Sequence, residues 1–514
     1  MLSPPPPAAH PDNKMWVDEQ IWGHRLWDAQ SPWLIFLEFL TVAEACHREG
    51  RLLQGLSVDD QNRPEPLNFR PYKRMYLRNI LYNNEELFRI AEKHADDATA
   101  WRLWLQWMQD HAQAIPSLDF SYLKKRFRSF HQFASLVGMI RSSTIESASN
   151  KRWSSRFIFP FGRHAIYEDL NVSGGSASRE YIYFGRPGEL LYQMLTRSKN
   201  AAALQTHLAA AFEANDSCDR LLALMQPDVP EDFQSRGDSY LPYATHPTFD
   251  AMSQDWLNLF ELGLPRFDAY PHLATLGALH LALYQLVVAA EVCGAEKPHF
   301  ICEVVAPRKT LIRELSMMSY LQNSQMSARA VEEYVKRIGE GEQWRAASGE
   351  ASGFAACREL MRQQVRWPRA EDDYEGPADP SALLIELRKA ALARHKQHVG
   401  NVHRSYGGGA GLVSRRGTNR LRYAPTDDLL KALILANVAV RMEYGEFLDV
   451  LFRRYGFVFG EREAMQVLSP EEFDKRAFQA NADRLESRLR TLGMLRRLSD
   501  ACAYVENPLG KAAS

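Results

Sequence analysis

Apolar residues recur at helical spacing along most of the chain. An interval of three to four residues between apolar side chains indicates an amphipathic helix. This helical spacing of apolar residues is found in residues 15–60, 67–95 and 98–137, and again in 250–292 and 308–338. The pattern therefore predicts a mainly α protein built from several helical regions.

One segment, at about residues 150–187, departs from this helical pattern and predicts a small β insertion. It is rich in aromatic and β-branched residues, and Pro160 and Gly162 are typical of a turn. We expect a Gly/Ser-rich loop from Asn171, then a short strand and a turn, with helix resuming at Gly188.

Shifts in composition divide the chain into predicted regions. Residues 1–14 form a Pro-rich leader without the apolar segment of a secretion signal, and we expect it to be disordered. Residues 365–381 carry three prolines and five acidic residues, which predicts a linker. The other regions are an N-terminal helical region (15–149), the β insertion (150–187), a central helical region (188–364), a helix with a Gly/Arg-rich basic loop (382–425) and a C-terminal module (426–510).

The C-terminal module has the clearest pattern. Thr426 or Asp427 can cap its first helix, Gly456 can end its second, and Gly493 can end the last and longest one. Residues 495–508 then alternate between apolar and polar, as a β-ribbon would. Three helices followed by a ribbon predict a winged-helix-like domain, in which the helix before the wing enters the major groove of DNA. Such a domain can also serve protein contacts alone.

Charge limits how this protein could hold nucleic acid. The 514 residues are 46% hydrophobic and 24% charged, an ordinary globular composition. The 62 Lys+Arg nearly balance the 63 Asp+Glu, giving a formal net charge of -1. Because the whole-molecule field is close to neutral, contact with double-stranded DNA would need a local basic patch.

Two segments offer such a patch of arginines, which pair well with phosphate. Residues 394–422 hold seven Lys/Arg, no Asp or Glu, and several glycines, although the same composition also suits a solvated flexible loop. The last helix and the ribbon supply the second set. Together they give ten candidate DNA-binding residues: Arg404, Arg415, Arg416, Arg420, Arg422, Arg484, Arg488, Arg490, Arg496 and Arg497.

Two basic stretches nearer the start, 70–78 and 124–130, also interleave cations with aromatic residues. They could stack on bases, but at helical spacing the aromatic residues are better explained as core and the cations as a solvated face.

The sequence carries no recognisable catalytic signature, and we expect neither a metal nor a cofactor. Glu303 and Lys309 come closest to a nuclease motif, but their spacing does not match one. His395, His398 and His403 lie among cations that would repel a metal ion. A nuclease-like effector whose site assembles only in three dimensions remains the enzymatic alternative.

Other features point to a cytoplasmic protein. The six cysteines are far apart and form no CxxC pair, which is typical of free thiols in a reducing compartment. The longest apolar run, Leu273 to Val292, includes His280, Gln285 and Glu291, so we expect a buried helix and no membrane contact.

Three phrases resemble proteins encoded in bacterial multi-gene anti-phage defence loci of the methylation-associated kind. They are Arg156 to Leu170, Tyr183 to Ser198, and the final LRTLGMLRRLSDACAYVENPL. The resemblance implies a subunit that acts with a methyltransferase, nuclease or ATPase partner, and it transfers no catalytic residue. Combined with the basic segments, it predicts a non-enzymatic DNA-binding or scaffold subunit, with a pure protein-interaction subunit as an alternative.

Overall fold

The fold is known from a computed structural model, which confirms a mainly α protein. Nearly all of the predicted leader and most of the predicted β insertion lie outside the residues that the structure describes. These residues are 14–28, 30–55, 65–72, 74–81, 84–112, 115, 119–142, 162–164, 170–173, 176–179, 185–228, 238–415, 420–499 and 502–510.

The N-terminal helices pack into two hydrophobic clusters. Helices α1 and α2 contribute to the main cluster. The other cluster is aromatic at its centre, with Trp101, Trp104, Phe130 and Phe133 in contact. Lys124 and Lys125 are exposed beside these buried aromatic residues, as the spacing predicts. The helices are α1 (Val17–Trp22), α2 (Pro32–Arg48), α3 (Met75–Leu81), α4 (Glu85–Lys93), α5 (Asp97–His111), α6 (Ser121–Arg126) and α7 (Phe130–Ser142).

In the β insertion, the prediction of a Gly/Ser loop was wrong. Strands β1 (Leu170–Ser173) and β2 (Ser176–Arg179) form an antiparallel hairpin there. The sequence between the strands is Gly-Gly, which favours a tight hairpin connection over a loose loop. The strand predicted after it lies outside the described residues.

The central region is organised around one long buried helix, α12, which packs against α2, α11 and α13. By length and composition it is the one described helix that could cross a membrane, but 89% of its most apolar window is buried inside the protein. The elements are α8 (Pro187–Thr196), α9 (Ala201–Glu213), α10 (Ser217–Leu224), α11 (Pro247–Glu261), α12 (Arg266–Cys293), β3 (Phe300–Ile301), α13 (Leu311–Glu340), α14 (Glu342–Ser348) and α15 (Gly353–Val365).

The last third of the chain combines helices with three small sheets. Strand β3 pairs with β7 in parallel, β4 pairs with β5, and a three-stranded antiparallel sheet has the order β6–β9–β8. The elements are α16 (Pro380–Gln397), α17 (Val402–Gly409), β4 (Val413–Ser414), β5 (Arg422–Tyr423), α18 (Asp427–Asn437), β6 (Arg441–Glu443), α19 (Tyr444–Tyr455), β7 (Phe457–Val458), α20 (Glu461–Val467), α21 (Lys475–Thr491), β8 (Leu495–Ser499) and β9 (Cys502–Glu506).

The prediction of a flexible Gly/Arg loop across 400–422 was also wrong. Its first half is helix α17, and its second half includes the β4–β5 hairpin. The glycines allow close packing: a Cβ on Gly407 would lie 2.8 Å from Val413, and one on Gly409 would lie 2.8 Å from Pro32. Glycine content therefore reflects tight contact here, because a larger side chain would not fit.

The acidic segment 365–381, predicted to be a linker, begins inside the protein. Val365 and Trp367 are buried, and the backbone N–H of Trp16 donates to the carbonyl of Val365 at 2.8 Å. One apolar cluster runs from Met15 to Val505 across this segment. All five acidic residues that suggested a linker follow these buried anchors in the sequence, and the acidic composition did not reveal the anchors.

A buried polar cluster joins the central helices to the C-terminal module. Asp255 of α11 is fully buried and accepts hydrogen bonds from Tyr455 at 2.7 Å and from Arg454, and His280 Nε2 lies 2.7 Å from it. Because a buried carboxylate needs partners on every side, this cluster fixes α19 against α11 and α12.

Candidate nucleic-acid interface

The ten predicted DNA-binding arginines divide into distinct environments. One of them, Arg416, lies outside the described residues. Arg422 is buried, and Arg484 and Arg488 are half-buried. Six are exposed: Arg404, Arg415, Arg420, Arg490, Arg496 and Arg497.

Arg422 is turned into the protein and cannot contact DNA. Its guanidinium Nε donates to Glu303, and both side chains are 1% exposed. Glu303 is also the carboxylate closest to a nuclease motif in the sequence, and this ion pair occupies it. The cation count along 394–422 included Arg422 because its partner lies 119 residues away.

Arg484 and Arg488 lie one turn apart on α21 and hold that helix to its neighbours. Arg484 donates to the carbonyl of Val304 at 3.3 Å. Arg488 donates to Asp427 Oδ1 at 2.6 Å and to the carbonyl of Pro425 at 2.9 Å. These contacts leave neither side chain fully available to a phosphate, so the predicted recognition helix is less basic outside than its sequence suggests.

The face of α21 that points to solvent has mixed charge. Phe478, Asn481, Leu485 and Leu489 are buried on the opposite side. The exposed positions are Lys475, Arg476, Gln479, Ala480, Asp483, Ser487, Arg490 and Thr491. Cations lie at both ends of this face, and the acid Asp483 lies near its middle.

The β8–β9 hairpin presents one arginine outward and one toward α21. Leu495 pairs with Val505 on the buried face, and Arg497, two residues on, reaches Glu486 of α21 at 3.6 Å. Alternation along the strand puts Arg496 on the opposite, outer face, where it is paired with Tyr504.

A second arginine joins this outer face from β6. The guanidinium carbon of Arg441 lies 5.5 Å from the centre of the Tyr504 ring, and Arg441 is exposed. The sequence reasoning missed Arg441, since a three-residue strand between two helices gives almost no periodic signal. The outer face thus holds Arg496 opposite Tyr504 on one side and Arg441 near the same ring on the other. Two acids share this face, because Glu443 pairs with Tyr504 and Glu506 pairs with Arg441 across the strands.

Two of the three clustered histidines, His395 and His403, are buried as structural groups in this part of the fold. Burial lowers the pKa of His403 to about 4. Its Nε2 lies 2.9 Å from the hydroxyl of Tyr423. His395 lies between Asp18, 2.8 Å from Nδ1, and Ser327, 3.1 Å from Nε2.

The Asp18–His395–Ser327 arrangement has the order of a hydrolase triad, which no sequence signal revealed. All three residues are at most 4% exposed, and the Trp22 ring stacks on the imidazole at 5.4 Å. Because Ser327 lies inside α13 and is sealed from solvent, we interpret the arrangement as a link between α1, α13 and α16. The described residues contain no group of His, Cys, Asp and Glu suited to a metal ion.

The fold and this surface define a mainly α protein with a C-terminal α/β module that carries exposed arginines on a β-hairpin. Residues 382–505 match the family model of the Methylation-associated defense system protein MAD7. The match confirms the resemblance to methylation-associated defence proteins that the sequence phrases predicted. No curated protein and no solved structure matches the chain.

Proposed function

We propose that the chain is a non-enzymatic subunit of a methylation-associated defence system that binds the phosphate backbone of duplex DNA through its C-terminal module. The family match supports the defence role and makes other defence proteins its expected partners. The outer face of the β6–β9–β8 sheet, with Arg496 and Arg441 beside Tyr504, is the observation that carries the DNA contact.

The order of elements supports the interpretation of this module as a winged helix. Helix α18, strand β6, helix α19, helix α21 and the β8–β9 hairpin follow one another, and the sheet order is β6–β9–β8. A winged helix has the same succession, with the first strand beside the last. Strand β7 and helix α20 are additions between its second and third helices.

A protein whose net charge is near zero can still bind DNA through a few phosphate contacts. Each cation that neutralises a phosphate releases a counterion, so a few arginines give measurable binding that weakens steeply with salt. Arg490 and Arg496 are exposed, and neither forms an ion pair with another described residue. They need no internal pair to be broken before they contact DNA.

A salt-dependent titration of the full chain with a short mixed-sequence duplex tests this proposal. We expect binding whose logarithm falls linearly with the logarithm of salt concentration. In Arg490→Glu/Arg496→Glu, the slope should shrink by about 1.8, at about 0.9 for each phosphate that is no longer neutralised. Lys124→Glu/Lys125→Glu, the same change in charge on exposed α6, serves as the control.

Absence of duplex binding at low salt would refute the DNA-binding role. Duplex cleavage that depends on added magnesium would refute the non-enzymatic part and favour the nuclease-like alternative.

A pure protein-interaction subunit is the second candidate, and one observation favours it. Large apolar side chains are exposed along α13 and on α20: Leu311, Met318, Leu321 and Met465. Exposed apolar groups at helical spacing are typical of surfaces that bind other proteins. Stable co-purification with defence proteins, without duplex retention at low salt, would support this candidate.

A further inference from the structure

A loop outside the family-matched residues carries two further exposed cations. Arg308 and Lys309 precede α13, and neither forms an ion pair with another described residue. In the sequence they belong to the central helical region, far from the candidate arginines. The acid that follows them first along the chain is Glu314, in the first turn of α13.

The structure fixes this loop against the C-terminal part of the chain. The N–H of Glu303 donates to the carbonyl of Tyr423 at 2.9 Å, beside the Glu303–Arg422 ion pair. The N–H of Val304 donates to Asn481 Oδ1 of α21 at 2.9 Å, and its carbonyl accepts from Arg484. Arg422 therefore helps to tie the loop to β5, and Arg484 helps to tie it to α21.

The far end of the loop is also held. Thr310 caps α13 by accepting a hydrogen bond from the N–H of Arg313 at 3.3 Å, and Pro307 restricts the backbone between the two ends. Two cations on a short loop with fixed ends lose less conformational freedom when they bind a ligand than cations on a mobile tail.

Chain geometry limits how far these cations can lie from the β4–β5 hairpin. Arg415 and Arg420 lie just beyond the Ser414–Arg422 pair, and Tyr423 follows it. At no more than about 3.4 Å per residue, each of these four residues lies within roughly 20 Å of the Glu303–Tyr423 hydrogen bond, so no two are more than about 40 Å apart. A duplex segment of about 40 Å carries roughly 24 negative charges, so one segment is long enough to span all four cations.

We propose that Arg308 and Lys309, together with Arg415 and Arg420, form a phosphate-binding patch for duplex DNA that continues the surface of the C-terminal module. This proposal rests on the proposed function, because it extends the same DNA contact into the central region. The surface is therefore composite, and residues 382–505 supply only part of it.

The test is the salt titration with the full chain carrying Arg308→Glu/Lys309→Glu. We expect at least about tenfold weaker duplex binding near 0.1 M salt and a slope smaller by about 1.8, with an unchanged thermal midpoint since both residues are exposed. Arg308→Gln/Lys309→Gln should give the same decrease in slope without added repulsion. Lys124→Glu/Lys125→Glu is again the control for a change in net charge.

The results separate this proposal from the proposed function. A parent chain that binds duplex and shows a smaller slope in Arg490→Glu/Arg496→Glu, but keeps its slope in both Arg308/Lys309 variants, overturns only the composite surface. An equal decrease in the Lys124/Lys125 control also overturns it, because the effect would then be one of net charge. A parent that does not bind duplex overturns both.

Discussion

Replacing Arg422 tests whether this arginine of the basic segment has a structural role or is available to DNA. Arg422 and Glu303 form an ion pair in which both side chains are 1% exposed. Replacing Arg422 with Ala leaves the Glu303 carboxylate buried without its cation. The removal of one partner from a buried pair costs about 3–5 kcal/mol, because the remaining charge is desolvated and uncompensated.

The size of the thermal shift follows from chain length. Unfolding entropy is about 2.1 cal/mol/K per residue, or about 1 kcal/mol/K for 514 residues. A destabilisation of about 3–5 kcal/mol should therefore lower the thermal midpoint by about 3–5 °C if the chain unfolds as one unit. Arg422→Met with Glu303→Leu removes both charges and should recover most of that stability.

Differential scanning calorimetry and the duplex titration together make the measurement. Arg415→Ala is the matched control, since it removes an exposed arginine from the same hairpin. It should change stability by no more than about 0.5 kcal/mol but reduce the salt slope by about 0.9. Arg422→Ala should lower stability and leave the salt slope unchanged, provided that the duplex titration is made below the thermal midpoint of the variant. An Arg422→Ala chain of unchanged stability and reduced slope would refute the internal assignment.

Two further perturbations test the same region. Burial lowers the pKa of His403 to about 4, so its stabilising contribution is present above about pH 6.5 and is lost as pH falls toward 4. Between about pH 7 and 5 the free energy of unfolding should fall by about 2 kcal/mol from this residue. Denaturant titrations of His403→Gln should show a smaller pH dependence of that free energy than the parent chain. An equal pH dependence in the two chains would contradict the argument. Gly411 has φ +84°, and a Cβ there would overlap the Thr426 hydroxyl that caps α18. Gly411→Ala should lower the thermal midpoint more than Gly50→Ala, which has φ +73° and open space; equal shifts would contradict the packing argument.

Local signals were sufficient to predict the helices of the C-terminal module. Thr426 accepts a hydrogen bond from the N–H of Leu429, and Gly456, with φ +78°, ends α19, as their positions before and after apolar periods predict. Caps and turns depend on a few neighbouring residues, so a single sequence contains the necessary information.

Tertiary packing decided what the sequence could not. Gly407 and Gly409 have the composition of a flexible loop, yet each lies against a side chain from another segment. The sheet partner of β9 on one side is β6, about sixty residues earlier, and nothing in either strand's pattern reveals it. Burial and pairing of this kind depend on residues distant in sequence, which composition does not report.

The candidate site shows the same limit in its electrostatics. A count of arginines treats every cation as available, but a protein with a net charge of -1 has almost as many acids to pair with them. Arg422 and Arg488 have acidic partners, and Arg484 binds a backbone carbonyl. The bonds of Arg422 and Arg484 hold β5 and α21 against the segment that leads to Arg308, whereas Arg488 ties α21 to the start of α18. The arginines with internal partners are therefore the ones that hold these segments together. A mutation in that group should lower stability, whereas a mutation of an exposed cation should reduce the salt slope of the proposed duplex binding.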